Sequence, residues 1–399
     1  MFSRCLLLTA AAVRGAQVIS AFDPHFVRPL GRVFPSAGGL GLSWLGGGLH
    51  VSHTGSVLRA TVLAHPSRPF KFATYESTQG NDPWQGVVII PASTANESFV
   101  ASAGGAGEVK IVLNVPPDYW ASGADAVVIL SLESDGAFNP APPAPSRVLH
   151  VLGDSITAAT NVRGGFPRCA DGGLYADYSS SWAGILCAFF GASCSTVAVG
   201  GKGLVKNCCD ASTTVPEYYT QTKKNDPDHT FGFTDAPPAG ILVYLGTNVS
   251  YARHLARCKA HLTPPNTPRP PQPAPQDYSR GGSPALDAQF TAAFLSLMVN
   301  VTQSYYGTPA APLNTTFFAI LGPMSPTLPS NAMQAAVAQG TAAGFRVVFV
   351  NASTACGASL MGCTDGCAGH PGVASHRTIA RTTAAAVEAA LGWPSPGVL

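Results

Sequence analysis

The sequence predicts two unlike architectures in series: an antiparallel β-sandwich, then an α/β domain built on a parallel sheet. Three observations carry this. Between about residues 30 and 138, short β-type runs are broken at regular intervals by Gly, Pro, Ser and Asn, with no convincing helix between them. Residues 139–146, Asn-Pro-Ala-Pro-Pro-Ala-Pro-Ser, can continue neither strand nor helix and read as a stiff linker. Beyond them, near-continuous apolar runs alternate with helix-length stretches, the pattern of a parallel sheet covered on both faces.

The sandwich is expected over residues 28–138. Its clearest runs are Leu49 to His53, Val57 to Leu63, Gly86 to Ile90, Val109 to Val115 and Ala126 to Leu132. The α/β domain is expected over 147–395. Its strands are predicted at Val148 to Leu152, Ser195 to Val199, Ile241 to Leu245, Phe317 to Leu321 and Val347 to Val350. Helices are predicted at Ser179 to Phe190, Ala285 to Ser304, Ala332 to Ala343 and Val373 to Leu391, the last stopped by Gly392. Residues 263–283, rich in Pro, Gln and Arg, read as a surface insertion without fixed structure.

Only 11% of the 399 residues are charged, well under the usual ~25%, and the formal net charge is +2. No Lys/Arg run stands out, which argues against nucleic acid or an anionic membrane surface as a partner. A neutral, Gly- and Pro-rich surface suits a protein that meets uncharged polymers. No apolar run reaches the ~18 residues of a membrane span. The start, with Arg4 ahead of a short apolar run, predicts a secretory signal over residues 1–21, with Ser20 or Ala21 at a passable cleavage site. Arg14 cuts the run short, and the alternatives are a frayed N-terminus or, since no acidic residue precedes Asp23, a transit peptide. Cys5 lies in that leader, and the other nine cysteines all lie from Cys169 onward. They point to an oxidising compartment, with disulfides bracing loops near the chemistry and one thiol left over; the pairing stays open. The spacings Cys208-Cys209 and Cys363-x3-Cys367 make a poor zinc set, so no metal or cofactor is expected. Sequons at Asn96, Asn248, Asn300, Asn314 and Asn351 fit an exported glycoprotein.

Four strand ends carry residues suited to chemistry, and ligands of open α/β sheets sit at such ends. After the first strand, Gly153-Asp154-Ser155 turns into what should be a helix, whose free N–H groups favour a developing oxyanion. The plain alternative is that Asp154-Ser155 caps that helix. After the second, Gly200-Gly201-Lys202-Gly203 allows a close backbone approach to a substrate oxygen, or is a simple turn. After the third, Gly246-Thr247-Asn248 offers an amide donor, or a turn Asn that carries a glycan. Just before the terminal helix, His370-Pro371 puts an imidazole where a general base could reach Ser155. His376, six residues on, reads as a structural residue on a helix face.

The order Ser155, Gly201, Asn248, His370 resembles the SGNH (GDSL) hydrolase superfamily across roughly residues 147 to 392. Gly201-Lys-Gly-Leu-Val-Lys-Asn207 and Gly366-Cys-Ala-Gly-His-Pro371 resemble carbohydrate esterase family 2 in particular. Ser43-Trp44, His53-Thr54-Gly55 and Leu132-Glu133-Ser134 are looser matches to the jelly-roll-like sandwich that precedes its catalytic domain. The resemblance implies a flavodoxin-like three-layer hydrolase domain. It also implies a Ser155 nucleophile, a His370 base, and an oxyanion hole of Ser155, Gly201 and Asn248. Two positions depart from the pattern. Val249 replaces the Asp that usually follows Gly-Thr-Asn, and Cys367 occupies the place of the usual acid three residues before the His. The nearest acid is Asp365, an optional third member, with a backbone carbonyl as the alternative partner of the imidazole.

These residues predict two-step acyl transfer. The resemblance implies an O-acetylated carbohydrate as substrate, whereas the chemistry alone implies only a small acyl ester. A broad-specificity or lipase-like ester hydrolase is the near alternative. A catalytically inactive glycan-binding protein is the distant one. The expected location is secreted or in the endomembrane lumen.

Overall fold

The computed structural model describes residues 16–77, 86–117, 126–164, 175–207, 213–233, 237–247, 284–307, 314–323, 329–357, 363, 365–367, 369–395, 397 and 399. The first half is two antiparallel sheets packed face to face. One sheet has the order β3(Val33–Ser36), β4(Gly39–Leu42), β11(Val127–Ser134), β6(Leu58–Leu63), β9(Asn96–Ser102), with β1(Gln17–Ser20) also paired to β11. The other has the order β2(Arg28–Leu30), β5(Gly48–His53), β10(Gly107–Val115), β7(Phe70–Ser77), β8(Gly86–Ile90). The strands obey period two, and β6 alternates buried Leu58, Ala60 and Val62 with outward Arg59, Thr61 and Leu63. The inward set meets Leu49, Val51, Phe70, Phe72, Ile111 and Leu113 from the opposite sheet to form one core.

Two boundaries differ from the sequence reading. Among the described residues the sandwich already includes Gln17, where β1 pairs with β11 and the Gln17 side chain accepts the Phe138 N–H at 2.8 Å. Processing after Ser20 would therefore remove a strand. The proline run is also pinned down. Asn139 N–H donates to the Ser52 carbonyl (2.9 Å), Ala141 N–H to His25 (2.8 Å), and Arg28 Nε to the Pro142 carbonyl (3.0 Å). Proline removes donors but leaves carbonyls, and the sandwich uses that of Pro142.

The second half holds a five-stranded sheet, order β13(Ser193–Ala198), β12(Val148–Gly153), β14(Gly240–Tyr244), β15(Thr316–Leu321), β16(Arg346–Asn351), with every pairing parallel. This is the flavodoxin-like order 2-1-3-4-5, whose switch point falls between β12 and β14. α1(Trp182–Phe190) and α5(Val373–Leu391) cover one face, packing Trp182, Leu186, Ile379 and Val387 on Leu149, Val151 and Leu242. α3(Pro284–Tyr306) and α4(Pro329–Ala342) cover the other, with Phe290, Phe294, Leu297 and Met333 on Ile241, Val243 and Phe317. A short α2(Val215–Tyr218) adds to that side, with Pro216 in its first turn. By length and composition α3 alone among the described helices could cross a bilayer. Its apolar side, however, is buried on the sheet, as expected of a core helix. The predicted insertion at 263–283 lies outside the described residues.

The halves share side chains. Leu45 and Val115 of the sandwich belong to the core on the α1/α5 face, and Trp44 to the core on the α3/α4 face. Arg32, also from the sandwich, is 1% exposed. It donates to Ser195 Oγ (2.9 Å) and to the carbonyls of Tyr219 (2.6 Å) and Gln221 (2.7 Å).

Candidate active site

Ser155 lies one residue beyond Asp154 at the carboxyl end of β12, at the switch point of the sheet. β12 ends on Gly153, where any Cβ would overlap the Thr157 side chain, so the tight reversal needs glycine. The expected helix after Ser155 is absent. Residues 154–163 form consecutive turns, with Ala158 N–H to the Asp154 carbonyl and Thr160 N–H to the Ser155 carbonyl, both 2.9 Å. Ala159 (φ 60°) and Asn161 (φ 58°) are left-handed, which interrupts the helical ladder. The Asp154 side chain contributes to the same outcome, because its Oδ1 takes the Ile156 N–H at 3.0 Å and so closes a local Asp turn. Trp182 Nε1 holds the turn from α1, donating to Thr157 Oγ1 at 3.2 Å.

His370 arrives on a loop before α5, 215 positions later, and its Nε2 is 2.9 Å from Ser155 Oγ. The loop is folded on itself by His370 N–H to the Cys367 carbonyl (3.0 Å) and Cys363 N–H to the Gly369 carbonyl (3.1 Å). Cys363 is bonded to Cys356, and Cys367 is also in a disulfide, so cross-links flank the imidazole on its N-terminal side. A third bridge, Cys187–Cys194, ties the end of α1 to β13. Cys356, Cys363 and Asp365 lie close together but make no metal-ligand set, since the two sulfurs are bonded to each other. Cys169, Cys208, Cys209 and Cys258 lie outside the described residues.

Asp365 is turned to the helix rather than the imidazole. Its Oδ1 accepts from Gly372 N–H and Ser375 Oγ, and its Oδ2 from Ser375 N–H, each at 2.9 Å. Partial burial would raise its pKa, but those donors at the N-terminus of α5 outweigh it and hold the carboxyl below its ordinary value. Asp365 thus fixes where α5 starts, three residues beyond His370. His376 supports the neighbouring layer. Fully buried, its Nδ1 accepts the Trp182 N–H at 3.0 Å, and burial lowers its pKa to about 3, so it stays neutral.

Gly201 follows β13 with φ 77°, a conformation that favours glycine, in a loop tied to the first strand by Val199 N–H to the Gly153 carbonyl (3.3 Å). Asn207 Oδ1 shapes the same loop by accepting the Gly203 N–H at 3.2 Å. Gly246, after β14, has φ 135°. Asn248 itself lies outside the described residues, and the structure ends there at Thr247, whose side chain hydrogen-bonds Asp154.

Two contributors were not singled out from the sequence. Asp177 accepts from Asn114 Nδ2 of the sandwich (3.0 Å), Arg163 Nε (2.7 Å), Ser180 Oγ (2.9 Å) and Ser179 Oγ. It joins the far end of the Ser155 turn to the other half of the chain. Its signal was present as an Asp directly before a Tyr-Ser-Ser-Ser run, a capping pattern. Asp154 was noted only as the neighbour of Ser155. It is 0% exposed, and burial raises its pKa to about 7.

No family model matches the chain, and no curated relative matches it. Solved structures do. A carbohydrate esterase family 2 enzyme with a carbohydrate-binding domain from Corynascus thermopiles (Myceliophthora fergusii) is 26% identical, with a TM-score of 0.67 over 92% of this chain and 100% of that one. An acetyl xylan esterase from Butyrivibrio proteoclasticus is 18% identical, with a TM-score of 0.71 over 95% and 100%. A family 2 carbohydrate esterase from Clostridium thermocellum, in complex with cellohexaose, is 19% identical, with a TM-score of 0.68 over 92% and 100%. The fold is that of the carbohydrate esterase family 2 type of SGNH protein, sandwich and hydrolase domain together.

Proposed function

We propose that this chain, a carboxylic ester hydrolase, removes acyl groups, acetyl foremost, from carbohydrate, with Ser155 as nucleophile and His370 as general base. The observation that carries the reading is the 2.9 Å approach of Ser155 Oγ to His370 Nε2 at the switch point of the sheet. Ser155 Oγ attacks the ester carbonyl as its proton passes to Nε2. The tetrahedral oxyanion collapses, and the imidazolium returns the proton to the departing sugar hydroxyl, leaving an acyl-enzyme. Water, deprotonated by the same nitrogen, then releases the acid and restores Ser155. The oxyanion is held by the backbone N–H groups of Ser155 and Gly201 and by the Asn248 side chain.

Asp365 acts by fixing the start of α5, to which the His370 loop is joined, since both of its oxygens are taken by donors of that helix. The substrate class rests on the 26% identity and full-length match to a carbohydrate esterase, and on the low charge of the chain. Disulfides flanking the His370 loop support an oxidising site of action, secreted or in the endomembrane lumen. Asn96, Asn300, Asn314 and Asn351 are exposed and available to glycosylation there. The test is acetate release from a panel of acetylated sugars and acetylated xylan by the wild-type and Ser155→Ala proteins. The folded Ser155→Ala protein should be inactive and should lose labelling by a fluorophosphonate. Full activity in that variant would end the proposal. Equal cleavage of long-chain lipid esters would replace the carbohydrate reading with a broad one.

A further inference from the structure

β10 departs from regular pairing at one point. Leu113 is paired with Phe72 and Val115 with Lys71, which leaves Asn114 as the extra residue of a β-bulge. In a regular strand neighbouring side chains alternate between faces, but here two successive residues both reach the hydrolase half. Val115 joins the core on the α1/α5 face, and Asn114, 0% exposed, uses both ends of its amide. Its Nδ2 donates to Asp177 Oδ1 at 3.0 Å, and its Oδ1 accepts the Ser179 N–H at 2.9 Å. Lys71, opposite the bulge, adds a bond from Nζ to the Ala176 carbonyl at 3.1 Å. The residues so held lead directly to the chemistry. Asp177 Oδ2 accepts from Arg163 Nε at 2.7 Å, and Arg163 ends the run of turns that starts at Asp154 and Ser155. Asp177 also precedes a single 3-10 turn, Tyr178–Ser180, which feeds into Ser181, the N-cap of α1. Trp182, next in line, touches both sides of the site. Its Nε1 donates to Thr157 Oγ1 at 3.2 Å, and its backbone N–H to His376 Nδ1 at 3.0 Å, in the helix that follows His370. Burial would raise the pKa of Asp177, but the Ser179, Arg163 and Asn114 donors outweigh it and hold the carboxyl below its ordinary value.

We propose, building on the esterase reading above, that Asn114 of the sandwich is a positioning residue for the reaction: through Asp177 it fixes the Ser155 turn at Arg163 and at Thr157. The sandwich is then part of what aligns the nucleophile with its base. Asparagine suits the place because it gives one donor to a carboxylate and one acceptor to a backbone N–H, and brings no charge to compete with Arg163. Truncating it leaves the buried Ser179 N–H without that acceptor and the Asp177 carboxyl one donor short. The strain falls on the segment that links Arg163 to Trp182, and the turn between them loses its register against His370.

The experiment compares full-length wild-type, Asn114→Ala and Asn114→Asp proteins on 4-nitrophenyl acetate between pH 5.5 and 8, each variant against wild type at the same pH. The probe carries no sugar, so a change in glycan binding leaves no mark on it. Asn114→Ala should lose about tenfold in kcat, with KM little changed. Asn114→Asp keeps the shape but sets a second carboxylate where the amide now lies 3.0 Å from Asp177 Oδ1, a pair that holds only when it shares a proton. Among the described residues, the other titratable groups that act on or feel Asp177, besides Arg163, keep one form over this range: burial raises Tyr75 and Tyr178 and lowers His376 to about 3. Asn114→Asp should therefore be about 10²-fold slow at pH 8 and regain about tenfold at pH 5.5. Hydrogen exchange of the indole N–H groups is a readout that needs no ester. That of Trp182 should speed about tenfold in Asn114→Ala, while that of Trp44, bonded to Gln221 elsewhere on the same junction, should not change. Wild-type kcat in Asn114→Ala, Trp182 exchange that is unchanged or that rises together with Trp44, or an Asn114→Asp deficit that ignores pH overturns the proposal. If the wild-type protein cleaves no ester, the esterase reading fails, and Trp182 exchange still decides whether Asn114 holds the turn. If Asn114→Ala does not fold, the pH dependence of Asn114→Asp decides.

Discussion

Replacing Arg32 with alanine tests what couples the sandwich to the hydrolase half. The guanidinium is 1% exposed, with the Phe231 and Tyr219 rings 4.0 and 4.9 Å from its carbon, and it faces no carboxylate among the described residues. Its three hydrogen bonds, to Ser195, Tyr219 and Gln221, are charge-assisted and contribute roughly 1.5–3 kcal/mol each, a gross loss of about 5–9 kcal/mol on truncation. Part of this is returned. Burial lowers the guanidinium from 12.5 to about 10, equivalent to about 3 kcal/mol that opposes keeping the charge dry. The net expected loss is roughly 2–6 kcal/mol, in the range found when one partner of a buried ionic network is removed. Trp44 reports on the junction, since its Nε1 donates to the same Gln221 carbonyl at 3.2 Å. Urea unfolding followed by its fluorescence should move to lower denaturant and separate from the unfolding of the parallel-sheet half. A variant within about 0.5 kcal/mol of wild type, the usual range for an unimportant surface change, would refute the accounting.

Asp365→Asn should lower kcat less than tenfold and destabilise the protein by about 1 kcal/mol, the cost of a weakened helix cap; a drop near 10⁴-fold in steady-state assays would instead mark a member of a triad. Replacing Cys356 and Cys363 by serine frees an eight-residue loop whose closure stabilises by about 2–3 kcal/mol. The double variant should lose kcat and label more slowly with a fluorophosphonate, while β-sandwich unfolding stays unchanged. For pH, burial lowers His376 to about 3, His50 to about 4 and His150 well below its ordinary 6.5. Their native pKa values lie below the unfolded ones, so their contribution is intact above about 6.5 and is lost as pH falls towards the native values. Asp154, raised to about 7, opposes them, because its folded form keeps a proton that the unfolded chain gives up above 3.8. Unfolding should then take up a net of about two protons between pH 6 and 4.5, weakening the fold by about 2–3 kcal/mol per pH unit. Stability that is flat across that interval in urea titrations would contradict it.

What could be read in the chain was whatever a local pattern encodes. Apolar runs such as Ile241 to Leu245, buried on both faces, gave the five parallel strands, and Gly153, Gly201 and Gly246 marked the strand ends. By contrast Phe70–Ser77 passed unnoticed although it is the partner of β10, because Lys71, Thr74, Tyr75 and Glu76 dilute its alternation. The four strands before β5 were missed for their brevity, at three or four residues each. Such strands are stabilised by neighbours rather than by composition.

The sequence by itself determined the order of architectures, the strand ends that carry Ser155 and Gly201, the loop before the terminal helix that carries His370, and the cysteines around the last of these. Tertiary structure alone decided three other things. It set Ser155 against His370, made Asp365 a cap for α5, and buried Asp154 completely beside Ser155. The reason is physical: hydrogen bonds and burial that join positions 215 residues apart depend on the register of a whole sheet. A turn such as 154–163 is likewise shaped by partners, here Trp182 and Asp177, that no local window contains.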